Sequence, residues 1–121
     1  MTKTQSSKQY DLEDRTIEFA RRVRALVKKL PKTIGNIEDG KQVVKASGSV
    51  GANYIEANES LSKKDFVMRI KISRKEARES RYWLRLIDIG SNSENEKERE
   101  DLVQEATELM KIFGSIVEKS K

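Results

Sequence analysis

The residues of this chain that could bind a metal ion or transfer a proton are two pairs of glutamates. Glu56 and Glu59 are three residues apart, and so are Glu76 and Glu79. In helical bundles, inward carboxylates at this spacing form di-iron sites together with histidine ligands. The chain has no histidine and no cysteine, so general-base catalysis by histidine, Ser-His-Asp triads and the common zinc sites lack their essential side chains. We therefore predict that the protein is not an enzyme and has no cofactor.

Two other roles for these glutamates remain open from the sequence. A magnesium site built from carboxylates alone needs no histidine, and a divalent ion would then stabilise the protein. The simpler interpretation is structural, with Glu76 and Glu79 paired to arginine or tyrosine side chains at a helix junction.

Basic side chains are concentrated between residues 62 and 90, which contain nine lysines and arginines against four aspartates and glutamates. Positive charge on one helical face attracts the phosphate groups of nucleic acids. The alternative is a solvated outer face with ion pairs one helical turn apart. The predicted phosphate contacts are Lys71, Arg74, Lys75, Arg78, Arg81 and Arg85, with Arg21, Arg22 and Arg24 as support.

The same segment carries two apolar stripes at helical spacing. The first stripe predicts the face that packs in the core, and it contains Phe66, Ile70, Ser73, Ala77, Ser80, Leu84 and Ile87. The second stripe contains Met68, Ile72, Trp83 and Leu86. It either widens the core around Trp83 or contacts another subunit, because a helix that is apolar on two separate faces needs two partners. Stacking of single-stranded bases on Tyr82 or Trp83 is a third interpretation.

The apolar periodicity predicts four helices joined by short loops. Pro31 ends the first helix, Gly35 and Asn36 are predicted to form the turn of a loop over residues 31–37, and Gly90 stops the third helix. Short loops make consecutive helices antiparallel. The predicted helices span 12–30, 38–59, 62–89 and 94–119, and the fold class is an all-α, antiparallel up-down-up-down four-helix bundle over residues 10–121 behind a disordered polar tail of residues 1–9.

The predicted second helix contains an unusual run of small residues, SGSVGAN. Each of Gly48 and Gly51 should cost about 1 kcal/mol relative to alanine inside a helix, which indicates close packing against a neighbouring helix. A phosphate-binding loop is the alternative, but the glycine spacing matches neither nucleotide-binding pattern. The apolar stripe of this helix contains Val43, Ser47, Val50, Tyr54, Ala57 and Leu61.

Composition limits the class of protein. The chain has 121 residues, enough for one domain. It has no apolar run near the roughly 18 residues of a membrane span, and its first ten residues lack the apolar core of a signal peptide. The absence of cysteine suits a reducing compartment. We expect a cytoplasmic protein that does not enter a membrane.

Four segments resemble one known family. They are YDLEDRTIEFARRV, SVGANYIEA, SKKDFVMRIKISRKEARESRYWLRLI and ELMKIFGSIVEKSK, and together they are similar to the bacterial four-helix-bundle family of 23S rRNA intervening-sequence proteins. The ordered match covers about residues 10 to 119, and its motifs are specific as a set: the SVGANY-x-EA segment, the S-K-x-D-F start and the K-E-A-x-E-(S/T)-x-Y-W motif. The resemblance implies a small helical subunit that assembles into a ring-like homo-pentamer.

The family resemblance and the basic helix favour the same hypothesis. A related accessory protein of diversity-generating retroelements is a basic pentamer that binds a reverse transcriptase and nucleic acid, although fold alone does not determine function. We predict an oligomeric basic bundle that binds RNA or DNA non-specifically through phosphates. The alternative is an oligomeric protein-interaction scaffold or accessory subunit that binds a protein partner and no nucleic acid.

Overall fold

The structure, a computed structural model, describes the backbone of residues 3–121 and the side chains of residues 12–121. Helices are the only regular secondary structure within residues 3–121. They are α1 (Lys3–Lys28), α2 (Ile34–Asn58), α3 (Lys63–Leu86) and α4 (Ser93–Lys119). The predicted all-α fold class is confirmed.

The helices form an antiparallel bundle in which each helix packs against two neighbours, in the cyclic order α1, α2, α3, α4. The loops at 29–33, 59–62 and 87–92 are short, so consecutive helices are antiparallel neighbours. The seam between α1 and α4 shows the opposite directions of these two helices. Arg15 contacts Glu105, and Arg22, seven residues further along α1, contacts Glu98, seven residues earlier in α4.

The core lies along the bundle axis and is formed by one face of each helix. The predicted stripe of α3 is buried from Ile70 to Ile87, whereas Phe66 is half-buried and packs against the core. The stripe of α2 is buried as far as Ala57, but Leu61 is fully exposed because α2 ends at Asn58. The largest fully buried side chains are Phe19, Phe113, Leu26, Ile70, Leu84, Leu102 and Leu109.

Gly51 of α2 packs closely against α1, as the sequence predicts. A Cβ atom on Gly51 would lie 2.6 Å from Oγ1 of Thr16, so the two helices approach too closely there for a side chain. Gly48 is covered by the guanidinium of Arg24, whose Nη2 would lie 3.5 Å from such an atom. A nucleotide loop is excluded at this position, since the whole segment is helical.

The predicted loop over residues 31–37 is wrong, because α2 begins at Ile34. Oγ1 of Thr33 caps the helix by accepting a hydrogen bond from the backbone N–H of Asn36 at 3.1 Å. The Asn36 side chain is buried, and its Nδ2 donates to the carbonyl oxygens of Pro31 and Asp88 at 2.9 Å each. The backbone N–H of Asp88 donates to Oδ1 of Asn36 at 2.9 Å. A single side chain thus joins the first and third loops.

Helix α3 ends at Leu86, three residues before the predicted end. Ile87 is extended, with φ −60° and ψ 150°, and both Ile87 and Ile89 are buried. Burial of two alternate residues explains the early end, since an extended strand places residues i and i+2 on one side. Gly90 has a φ of 79° and lies in the loop instead of directly after the helix.

Helix α1 begins at Lys3, nine residues before the predicted start at Leu12, and so overlaps the predicted tail of residues 1–9. Met1 and Thr2 lie outside the described residues, and there the tail stays a prediction. Over the described residues, none of the helices has the length and apolar character needed to cross a lipid bilayer.

Candidate nucleic-acid interface

Helix α3 presents different chemistry along its two flanks. On the flank facing α2, Nη1 of Arg69 donates to Oδ1 of Asn53 at 3.0 Å. On the flank facing α4, Nη1 of Arg81 donates to Oγ1 of Thr107 at 3.2 Å, and Nη1 of Arg74 lies 3.6 Å from the position that a Cβ atom on Gly114 would take. The predicted phosphate contacts therefore occupy the α4 flank and the outward face.

The six predicted phosphate-binding residues, here called the α3 cationic surface, lie together on one helix. Arg74 and Arg81 are half-buried against α4, whereas the other four are exposed. None of the six forms an ion pair within 4.0 Å with a described residue. The exposed members are Lys71, Lys75, Arg78 and Arg85.

The three supporting arginines lie on α1, which is diagonally opposite α3 in the bundle. Nε and Nη2 of Arg22 donate to the carboxylate of Glu98 at 3.0 and 3.1 Å. This hydrogen-bonded pair raises the pKa of Arg22 above its ordinary value, against the opposing effect of burial. Nη1 of Arg24 lies 3.5 Å from the carbonyl oxygen of Ala20, and Arg21 is exposed. The structure therefore does not bring these arginines together with the α3 cationic surface.

The second apolar stripe divides into buried and exposed members. Trp83 is half-buried and packs against the core, and Ile72 is half-buried. Met68 and Leu86 are 47% and 50% exposed. The stripe thus contributes to the core at Trp83 and leaves apolar surface at its two ends.

A shallow cleft between α2 and α3 contains the glutamate pair of α3. Glu76, Glu79 and Trp83 face Lys45 of α2 across a cavity of about 180 Å³. Neither carboxylate accepts a hydrogen bond or forms an ion pair among the described residues, so the predicted arginine or tyrosine partners are wrong. Burial raises the pKa of Glu76, the neighbouring Glu79 raises it further, and Lys75 and Lys45 oppose these effects.

The glutamate pairs do not assemble into a metal site in the described part of the chain. Glu56 and Glu59 are exposed near the end of α2, away from the cleft that holds Glu76 and Glu79. No group of three or more histidine, cysteine, aspartate or glutamate side chains is arranged to hold an ion within the described residues.

The basic side chains of α3 extend further towards its N-terminus than the six residues predicted from the sequence. Lys63 and Lys64 begin the helix, and a cavity of about 580 Å³ is lined by four lysines together with an aspartate and apolar side chains: Lys63, Lys64, Lys71, Lys121, Asp65, Val67 and Met68. The paired lysines at 63 and 64 were visible in the sequence, but their proximity to Lys71 depends on the helix beginning at Lys63. The ammonium of Lys121 forms an ion pair with the carboxylate of Glu118 at 3.1 Å.

Comparisons with known proteins agree on one family. The family model described as 23S rRNA-intervening sequence protein matches residues 8–115. Among solved structures, a protein of unknown function from the S23 ribosomal protein family of Bacteroides thetaiotaomicron is 30% identical, with a TM-score of 0.73 over 87% of this chain and 96% of that protein. No curated protein matches the chain.

Proposed function

The chain belongs to the 23S rRNA-intervening sequence protein family, and from this premise we propose that it is a small basic bundle whose helix α3 binds nucleic acid. The ligand is RNA or DNA, held by phosphate contacts without readout of base sequence. The family assignment itself names no biochemical activity, so the proposal depends on the charges of α3.

The observation that carries the proposal is a difference between the α1–α4 seam and the outer face of α3. On the seam between α1 and α4, Arg15 and Arg22 are each held by a glutamate of the facing helix at 2.7 and 3.0 Å. On α3, four exposed cations have no carboxylate within ion-pair distance among the described residues. Cations without an internal partner leave their charge available to an external anion.

The spacing of these cations suits an extended phosphate backbone. Lys71, Lys75, Arg78 and Arg85 follow one another at intervals of four, three and seven residues, which places them on one side of the helix. From Lys71 to Arg85 the helix rises by roughly 21 Å at 1.5 Å per residue. Phosphates follow one another every 3.4 Å along a strand of duplex, so the surface can meet several phosphates at once. Such contacts position a nucleic acid but do not specify its sequence.

We further propose that the protein is a homo-oligomer. Met68 and Leu86 expose apolar surface on the helix that carries the cations, and burial against another subunit would remove that surface from water. Symmetric assembly would repeat the α3 cationic surface and raise its avidity. Multi-angle light scattering gives the subunit count: a pentamer is the expected result, and a monomer at micromolar concentration would contradict this part of the proposal.

Fluorescence anisotropy with labelled structured RNA and labelled duplex DNA across a salt series tests the binding itself. We expect micromolar or tighter binding at low salt, with log affinity falling linearly as log salt rises, because bound counterions are released when cations neutralise phosphates. No binding of either nucleic acid at low salt would refute the proposal and leave the protein-interaction scaffold as the function.

A further inference from the structure

An exposed tyrosine lies in the middle of the α3 cationic surface. Tyr82 is 57% exposed and is the only exposed aromatic residue among the described side chains. Arg78 precedes it by four residues, and Arg85 follows it by three, which are the spacings of side chains that share a helix face. Arg78 and Arg85 therefore lie on the same helix face as Tyr82, about one turn away in each direction.

The Tyr82 ring contacts Trp83, which supports its orientation from the side of the core. The ring of Tyr82 contacts Trp83 edge to face, with centroids 5.0 Å apart and an angle of 80° between the planes. Trp83 is itself half-buried and packed against the core. Since one edge of the pair is anchored, less side-chain freedom is lost when a planar ligand stacks on Tyr82. The Tyr82 hydroxyl has no hydrogen-bond partner among the described residues.

We propose that Tyr82 is a stacking platform for an unpaired base, so that the α3 cationic surface binds single-stranded nucleic acid in preference to duplex. This inference rests on the proposed function, because the cations must hold the phosphates that bring the base to the ring. Proteins that bind single strands combine cations along the backbone with aromatic rings beneath the bases. In a duplex the bases are stacked on each other and cannot reach the ring, while the phosphates remain accessible.

The test compares a labelled 20-nucleotide oligouridylate with a labelled duplex RNA of equal length, against the wild-type chain and three variants. Tyr82→Ala should weaken binding of the single strand at least about fivefold, the loss expected for one stacked base, and should leave duplex affinity unchanged. Tyr82→Phe, which keeps the ring, should retain single-strand affinity. Lys75→Ala should weaken both ligands, because it removes a phosphate contact and no stacking surface.

The emission of Trp83 gives a second readout, since it is the only tryptophan of the chain and touches the proposed platform. We expect saturable quenching by oligouridylate and little change with duplex. Loss of equal size on both ligands in Tyr82→Ala, no loss on either, or a changed subunit count in this variant would overturn the stacking role while leaving phosphate binding standing. Failure of the wild-type chain to bind any nucleic acid at low salt would overturn both proposals.

Discussion

Arg22 of α1 holds the carboxylate of Glu98 in α4 by two parallel hydrogen bonds of 3.0 and 3.1 Å. The same arrangement recurs one heptad away, where Arg15 donates to both oxygens of Glu105 at 2.7 and 3.0 Å. The acidic residues of α4 are thus partly neutralised by α1, on the side of the bundle away from α3. Glu98 and Glu105 therefore pair with α1 and not with the cations of α3.

The first prediction concerns the energy of this pair. A double-mutant cycle with Arg22→Ala and Glu98→Ala should give a coupling energy of about 0.5–1 kcal/mol, at the upper end for partly exposed ion pairs because the geometry is bidentate. The matched cycle on Lys97 and Asp101, which are 77% and 50% exposed at 3.6 Å, should give a value near zero. Urea unfolding measures both cycles. Equal coupling in the two cycles would show that the bidentate geometry adds nothing.

The second prediction concerns the close approach of α1 and α2. Gly51→Ala should destabilise the bundle by about 1–2 kcal/mol, because the strain of overpacking exceeds the gain in helix propensity. Gly35→Ala is the control, since a Cβ atom at Gly35 has no heavy atom within 4 Å, and it should leave stability unchanged or raise it by up to about 1 kcal/mol. The urea midpoint should therefore fall for Gly51→Ala and should not fall for Gly35→Ala. A more stable Gly51→Ala variant would refute the close contact with Thr16.

The third prediction concerns the side chain that joins two loops. Asn36→Ala removes three hydrogen bonds and leaves the backbone N–H of Asp88 without its acceptor, so we expect a loss of about 2–3 kcal/mol. Asn58→Ala, at the exposed end of α2, should change stability by less than about 0.5 kcal/mol. Thermal melts followed by circular dichroism distinguish the two. Similar melting temperatures for both variants would mean that the loops are held by other contacts.

The fourth prediction concerns pH. The pKa of Glu76 is raised by burial and by Glu79, with Lys75 and Lys45 opposing, so the folded state binds this proton more tightly than the unfolded state. The stability contributed by protonated Glu76 is present below the ordinary carboxylate pKa and is lost as pH rises through the raised value. Glu76→Gln should therefore match the wild type in acid and exceed its free energy of unfolding at neutral pH.

Unfolding of the two proteins across pH 3 to 8 measures this difference, and Glu59→Gln, at an exposed position, is the control without a pH-dependent gain. A Glu76→Gln variant that is less stable than the wild type at neutral pH would show that the carboxylate is stabilised by its surroundings.

The helices and the core could be predicted from the sequence because their signals are local. The stripe from Ile70 to Leu84 repeats at the helical period, and all of its members are buried. Glycines in the middle of α2 indicated a close helix contact, and the structure places Thr16 there. Each of these inferences needs only the residues of one helix and the general cost of exposing apolar groups or of placing glycine inside a helix.

Several features could not be predicted because the interacting residues lie far apart along the chain. Asn36 resembles a turn residue beside Gly35, but its hydrogen-bond partner Asp88 is 52 residues away, and nothing local shows that pairing. Likewise, Arg22 and its hydrogen-bond partner Glu98 are 76 residues apart in the chain. Arg81 and its partner Thr107 are 26 residues apart. The basic face was visible in the sequence, but which of its cations stay unpaired depends on how neighbouring helices are placed.

The central claim is that nucleic acid binds to the exposed cations of α3 and not to positive charge in general. The direct test measures the affinity for duplex DNA of a double variant that carries Lys75→Glu and Arg78→Glu. The control double variant carries Lys29→Glu and Lys41→Glu, two exposed positions outside α3. Each pair lowers the formal net charge from +5 to +1, since every reversal removes two charges.

Fluorescence anisotropy across a salt series compares the two variants with the wild type, after circular dichroism has confirmed that both are folded. We predict that the α3 variant binds at least about tenfold more weakly and that the steepness of its salt dependence falls by about 2, because two phosphate contacts are lost. The control should stay within about threefold of the wild type. Equal weakening in both variants, or none in the α3 variant, would contradict the account.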